Sequence, residues 1–329
     1  MKLKYGSQST STIILLIIFF ISRPGLAQEQ LSLEEVNGWF ETLSNWGRWG
    51  GDDQLGTVNL ITQETRVAAA GLVQSGISVS MAHEILTEEA ADNGNPYDHR
   101  MTAVGSSPGP WSGDFIGVSY HGYAHSHLDA LCHRFQFGTM YNGYSENEVT
   151  EEGCSKLAIT SFSNGIFGRG IIMDFPRLRG TDWLENGVGI TPEWLNEWEQ
   201  EHGIRVGSGD IVLIRTGRWP RRAELGPWNL SQSSAGLHAS AVAWLKARDV
   251  ALIGSDSALD VRPSGVTDFP QPVHALVLVS LGMPIFDNLD LEAVAEQAIL
   301  HGRTEFLFST APLRVGGGTG SPLNPIATF

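Results

Sequence analysis

Cysteine is scarce in this chain. Its 329 residues hold two, Cys132 and Cys154, which excludes a disulfide framework as the basis of the fold. Positive charge is also short. There are 21 Lys and Arg against 36 Asp and Glu, a formal charge of -15. That balance argues against nucleic acid or an anionic membrane as a partner. Long apolar runs are missing too. The longest, Ile13–Ile21, has about nine residues, too few to span a bilayer comfortably as a permanent helix. There is no internal repeat, no low-complexity tract, no clear linker and no Gly-x-Gly-x-x-Gly fingerprint. No strand-to-helix elbow built on Gly-x-Ser-x-Gly is expected. Gly316–Gly318 lacks the lysine and helix of a phosphate loop and reads as a turn.

The apolar run has a setting that explains it. Lys2 and Lys4 precede it, and Gly25-Leu26-Ala27 supplies small residues where a signal peptidase reads. Residues 1–27 are therefore expected to be a signal peptide, cleaved near Ala27/Gln28; the alternative is an uncleaved N-terminal anchor. No cysteine lies near Ala27, which argues against a lipoprotein anchor. Cleavage removes Lys2, Lys4 and Arg23 and no acid, taking the charge from -15 to about -18. The mature chain, residues 28–329, is long enough for one large core. The expected location is periplasmic or secreted, with no membrane attachment after cleavage.

Periodicity gives a coarse architecture. Residues 28–45 read as a short helix, 46–60 as an ordered loop, and 62–74 as a helix capped by Thr62. Residues 88–115, rich in glycine, proline and acids, read as a long surface excursion. Strands are expected at Gly170–Phe175, Asp210–Arg215, Val250–Gly254 and Glu305–Phe308. Helices are expected from Thr191-Pro192 to Gly203, over Ser240–Arg248 and Leu291–Leu300, with Pro272–Leu281 apolar and compatible with a helix. Alternation of this kind predicts an α/β single domain with a mixed sheet.

The densest chemistry lies in residues 117–135, which carry four of the ten histidines. His121, His125, His127 and Asp129 are separated by even numbers of positions, so one strand would place them on one face. His133 follows four residues after Asp129. Imidazole nitrogens converging with a carboxylate suit a divalent ion such as zinc or manganese. The structural alternative is a polar strand with surface histidines.

His127-Leu-Asp129-Ala-Leu-Cys-His133 resembles the His-x-Asp-x-x-x-His signature of the putative cyclase family, which includes bacterial kynurenine formamidases and isatin hydrolases. Trp46–Leu60, Met140–Gly143, Val273-His274, Asp287–Leu289, Ala311–Arg314 and Gly320–Pro322 are similar to further blocks of that family. The resemblance implies a partly open, barrel-like sheet flanked by helices. It implies metal ligation by His127 and Asp129, with His133 either a ligand or a proton carrier. It also implies a functional role for His274 in an otherwise apolar stretch, and metal ligation by Asp287. Homodimers or homotetramers are expected. Since the similar family segment tolerates a cysteine beside the second histidine, Cys132 is expected to be a buried free thiol.

The chain also departs from the pattern. Dinuclear formamidases carry His-x-Gly-Thr-His, where this chain has Tyr123 in place of the first histidine and His125 in place of the glycine. One tightly bound ion is therefore favoured, with a second site left open. His121 and His125 are candidates for ligation or for hydrogen bonding within the pocket. His238 is a candidate for substrate binding or for capping. Asp256, at the end of a strand, is a candidate for the site or for a turn cap. The reading is a metal-dependent hydrolase of a non-peptide amide, an aryl formamide or an isatin-like cyclic amide, with a small-molecule substrate. The ten tryptophans and fourteen phenylalanines are mostly core, with some available for an aromatic pocket. The alternatives are a cyclase or lactone hydrolase on a polyketide-like ring, and an exported metal- or ligand-binding protein.

Overall fold

The structure, a computed structural model, describes residues 30–329. The expected signal peptide and its cleavage point lie outside the described residues. Helix α1, Leu33–Thr42, starts at Ser32, whose hydroxyl accepts from the Glu35 amide. Helix α2, Gln63–Ala70, starts at Thr62 in the same way but stops sooner than its sequence suggests, at Gly71. The glycine-rich segment between them is an ordered loop, as expected. Gly56 packs its Cα so close to Gly282 that an added Cβ would lie 1.8 Å from the Gly282 carbonyl oxygen. Trp46 Nε1 donates to Val279 O at 2.7 Å.

Nine strands form one sheet: β1 (Ser78–Ser80), β2 (His127–Asp129), β3 (Ile166–Asp174), β4 (Ile211–Arg215), β5 (Leu252–Ser255), β6 (Ile285–Asp287), β7 (Glu305–Thr310), β8 (Gly320–Pro322) and β9 (Ile326–Thr328). Their spatial order is β1-β9-β7-β3-β4-β5-β6-β2-β8. The centre, β3-β4-β5-β6, is parallel; both flanks are antiparallel. Helices cross between the parallel strands: α3 (Pro192–His202) and, after β4, α4 (Arg218–Leu225) and α5 (Ala241–Ala247). Helix α6 (Glu292–His301) leads from β6 to β7. The central strands are mostly apolar because both faces are largely covered; Ile211, Val212, Leu213 and Ile214 are all buried. Pro272–Ala275 is helical and continues as a π-helical stretch, Leu276–Leu281, ending at Gly282 with φ +64°.

The sheet curls into a half-barrel flanked by helices. Phe286 of β6 and Phe308 of β7 have three strands between them in the order, yet their ring centroids are 5.2 Å apart across the interior. That face carries Leu128, Phe286 and Phe308 and holds the core. By alternation, His127, Asp129 and Asp287 project from the opposite face.

The excursion at 88–115 is mostly irregular and carries an exposed hairpin, Asp98–Ala103 against Gly113–Gly117. Among the described residues no helix is long and apolar enough to cross a membrane.

Candidate metal centre

The centre is built where β2 lies between β6 and β8. The register places His127 opposite Asp287, and Asp129 opposite Ile285 and Gly320. His127 Nδ1 donates to the His125 carbonyl at 2.7 Å, which turns Nε2 towards Asp129. Nε2 is 3.4 Å from Asp129 Oδ1. His127, Asp129 and Asp287 are buried, and one ligand atom from each lies within 4.8 Å of the others. Oδ1 of Asp129 and Oδ1 of Asp287 have no hydrogen-bond partner. Burial alone would raise the Asp129 pKa, but His133, His121 and His127 hold it well below the usual carboxylate range. Buried carboxylates with bare oxygens are costly unless a cation, an imidazolium or a metal ion, joins them. The donor set fits zinc or manganese.

The single-strand arrangement of the histidines does not hold. β2 covers only His127–Asp129, and residues 121–126 form an irregular turn. His125 leaves the centre: its Nε2 contacts the Asn95 carbonyl at 3.0 Å, and Tyr97 packs edge-on at 4.5 Å. His121 comes back over the turn. Its Nδ1 is 3.0 Å from Asp129 Oδ1, without the alignment of a hydrogen bond, and both atoms remain unpartnered. His133, at the end of the turn Leu131–His133, stacks on His121 with centroids 3.9 Å apart and planes 9° apart. Its Nε2 is 3.8 Å from Asp129 Oδ2. Burial, with the neighbouring His121, His274 and His127, lowers the His133 pKa to about 4 against the pull of Asp129, so the ring is neutral at neutral pH.

His274 joins the centre from the helical segment after Pro272. Its Nε2 is 3.1 Å from Asp287 Oδ2, and its Nδ1 is 2.5 Å from Asp260 Oδ2. Burial lowers its pKa, but Asp287 and Asp260 outweigh this and raise it to about 10. Asp260 also accepts from the amides of Val273 and His274. Sequence reading missed Asp260, which lies in an irregular segment with no periodic signal. It also missed Arg218, which pairs with buried Asp92, bonds Asn288 Oδ1 and donates to the Tyr123 carbonyl, pinning the turn that carries His121. His238 lies outside the cleft wall; its Nδ1 contacts Ser240 Oγ at 2.8 Å, just before α5. Asp256 is a turn cap, accepting from Thr216 N and Oγ1 and from Gly217 N.

A cleft of ≈ 130 Å³ opens onto these groups, walled also by Tyr123, Arg134, Ala258 and Gln271. Among the described residues no tryptophan or phenylalanine lines it, so the expected aromatic wall reduces to Tyr123. The letters Gly-x-Ser-x-Gly do occur, at Gly105–Gly109, but in an exposed hairpin turn with no helix behind them. Gly316 and Gly317 form a turn, as expected.

Cys132 is not a free thiol: it forms a disulfide with Cys154. The turn Leu131–His133 packs beside Gly153–Cys154 through the Gly317–Gly318 turn, which brings the two sulfurs together.

Comparison with known proteins agrees with this geometry. The putative cyclase family model matches residues 65–259, more than half of the chain. Isatin hydrolase of Roseibium aggregatum is 30% identical over 146 residues, 42% of this chain and 51% of that protein. The match thus spans about half the length of that curated relative. A crystal structure described as a novel cyclase superposes with a TM-score of 0.81 at 32% identity, covering 88% of this chain and 99% of the other. Isatin hydrolase A from Labrenzia aggregata shares the fold, with a TM-score of 0.58 at 21% identity over 80% of this chain and 97% of that one. The chain belongs to the putative cyclase family and is related to the isatin hydrolases.

Proposed function

We propose that the protein is a metal-dependent hydrolase of a small non-peptide amide, an aryl formamide or a cyclic amide resembling isatin. The observation that carries this is the buried group of His127 Nε2, Asp129 and Asp287 with bare carboxylate oxygens, opening onto a cleft. These residues would hold the ion. A bound divalent ion supplies Lewis acidity, activating water near neutral pH and polarising a carbonyl. The relationship to isatin hydrolase supports amide hydrolysis, and the small cleft favours a compact substrate.

The chain's own groups divide the remaining work. His133, neutral and facing the cleft, accepts the proton that water loses and returns it to the departing nitrogen. His274 keeps its proton between Asp260 and Asp287, which fixes the Asp287 carboxylate. Arg134 places a guanidinium at the wall, where it orients a carbonyl or the product carboxylate.

Export is part of the proposal. The disulfide Cys132–Cys154 supports an oxidising compartment, and the exported protein should begin near Gln28 by mass spectrometry. The test of function is metal analysis of purified protein, coupled to assays on formamides, cyclic amides and lactones. Metal-dependent hydrolysis of an amide is expected. Turnover of lactones alone would move the assignment to ester-ring chemistry, and bound metal without any turnover would leave a binding protein.

A further inference from the structure

We infer that Arg134, supported by Arg262, holds a carboxylate that the substrate carries apart from the bond being cut. The inference rests on the reading of the cleft as a site of amide hydrolysis and narrows its substrate class. It sets an anionic amide, such as a formamide or cyclic amide bearing a carboxylate, above a neutral one.

Buried arginines elsewhere in this fold have acids beside them. Arg215 pairs with Asp174 and Glu292, and Arg218 with Asp92. Arg262 is as buried, at 6% exposed, and pairs with no acid among the described residues. Its Nε is buried without a hydrogen-bond partner, and its guanidinium carbon lies 5.8 Å from the centre of the Tyr123 ring. Tyr123 lines the cleft, fixed through its carbonyl by Arg218. Arg134 lines the cleft itself and also has no acid paired with it among the described residues. Its Nε is buried and unpartnered, and its guanidinium makes a single hydrogen bond there, a long one of 3.4 Å from Nη1 to Gln271 Oε1. Burial lowers the Arg134 pKa; Asp260 opposes this and Arg262 adds to it, so the two cations share one neighbourhood. Asp260 is already engaged, accepting from the amides of Val273 and His274 and holding His274 Nδ1. Guanidinium groups taken out of water without an anion are costly, and an anion brought by the substrate relieves them.

Charge also orients the occupant. The acids on the cleft wall are Asp129 and Asp287, both in the metal centre. A substrate therefore sets its carboxylate at Arg134 and its amide carbonyl at the centre. The planar fork of a guanidinium matches a carboxylate with two parallel hydrogen bonds. The head of an α-amino acid suits the place less well, because its ammonium would meet two like charges. A cleft of ≈ 130 Å³ with Tyr123 on its wall takes a compact, flat body between the two ends.

The test compares compounds that differ by one carboxylate, on the purified mature protein with its metal. The best of the ortho, meta and para formamidobenzoates should exceed formanilide about 10- to 100-fold in kcat/KM, the worth of one charge-assisted pair. Arg134→Gln should remove most of that ratio, and Arg134→Lys should keep part of it, having the charge without the fork. Arg262→Met, which keeps buried bulk and removes the charge, should lower the ratio in the same direction. Calorimetry reads the subsite without turnover: benzoate should bind more tightly than benzamide, and Arg134→Gln should erase the difference. Formanilide turned over as well as every formamidobenzoate overturns the inference. So does a preference that Arg134→Gln leaves intact, as it would if the ion alone drew the carboxylate. If no amide is hydrolysed, the amide reading fails, while the benzoate measurement still decides the subsite.

Discussion

Asp287 stands directly across the ladder from His127, and its Oδ2 accepts from His274 Nε2 at 3.1 Å. One carboxylate therefore links the ligand strand β2 to the charged pair of His274 and Asp260. Asp287→Asn should keep the shape and lose the charge. It is expected to lose most of the bound metal, as are His127→Ala and Asp129→Ala. Metal content by emission spectrometry beside far-UV circular dichroism checks this. Full metal content in all three variants would show that the centre lies elsewhere.

His133→Asn addresses the proton. The variant should retain the bound metal and lose about 100- to 10,000-fold in kcat, the usual cost of one positioned proton carrier. If the metal leaves with the activity, His133 is a ligand rather than a base.

The buried pair of Asp92 and Arg218, closed by Arg222, should set part of the acid stability. Burial alone would raise the Asp92 pKa, but Arg222 and Arg218 hold it below the usual range. A depressed folded-state pKa gives stability that is present above the unfolded value, about 3.9, and is lost as pH falls through the folded one. Asp92→Asn should cost about 3–5 kcal/mol at pH 7, because Arg218 is left buried and uncompensated. The gap to the parent should shrink below about pH 4 in denaturant titrations.

Much of the centre was legible in the sequence because strands impose a two-residue alternation that a reader can count. His127 and Asp129 share a face as alternation requires, and resemblance added Asp287 and His274. Counting failed at His121 and His125, since the parity rule extends only as far as the strand, and β2 is three residues long. His125 turns away for that reason, while His121 arrives by a turn whose shape depends on Arg218, far along the chain. Asp260 was invisible for a related reason: it acts through a partner that only tertiary contact supplies. The parallel centre of the fold was readable from unbroken apolar runs; the short outer strands β1, β8 and β9 were not, since two or three residues carry no period.

The disulfide predicts a measurable dependence on redox state. Denatured parent protein should show no free thiol. Cys132→Ser with Cys154→Ser should cost about 3 kcal/mol, the loop-closure value for a bridge of this span. The same loss should follow reduction of the parent, read as a lowered Tm. Two free thiols in the unreduced protein would contradict the pairing.

The position of β2 in the sheet has a temporal meaning. It is sandwiched between β6 and β8, strands translated much later than β2 itself. His127 and Asp129 are made early but have no Asp287 to face until the last quarter of the chain has emerged. Long-range pairing of this kind forms late in folding. The pocket for the ion is thus one of the final parts of the molecule to exist. On the proposed export, the ions available where folding finishes, rather than those surrounding the ribosome, would decide which metal the proposed centre acquires.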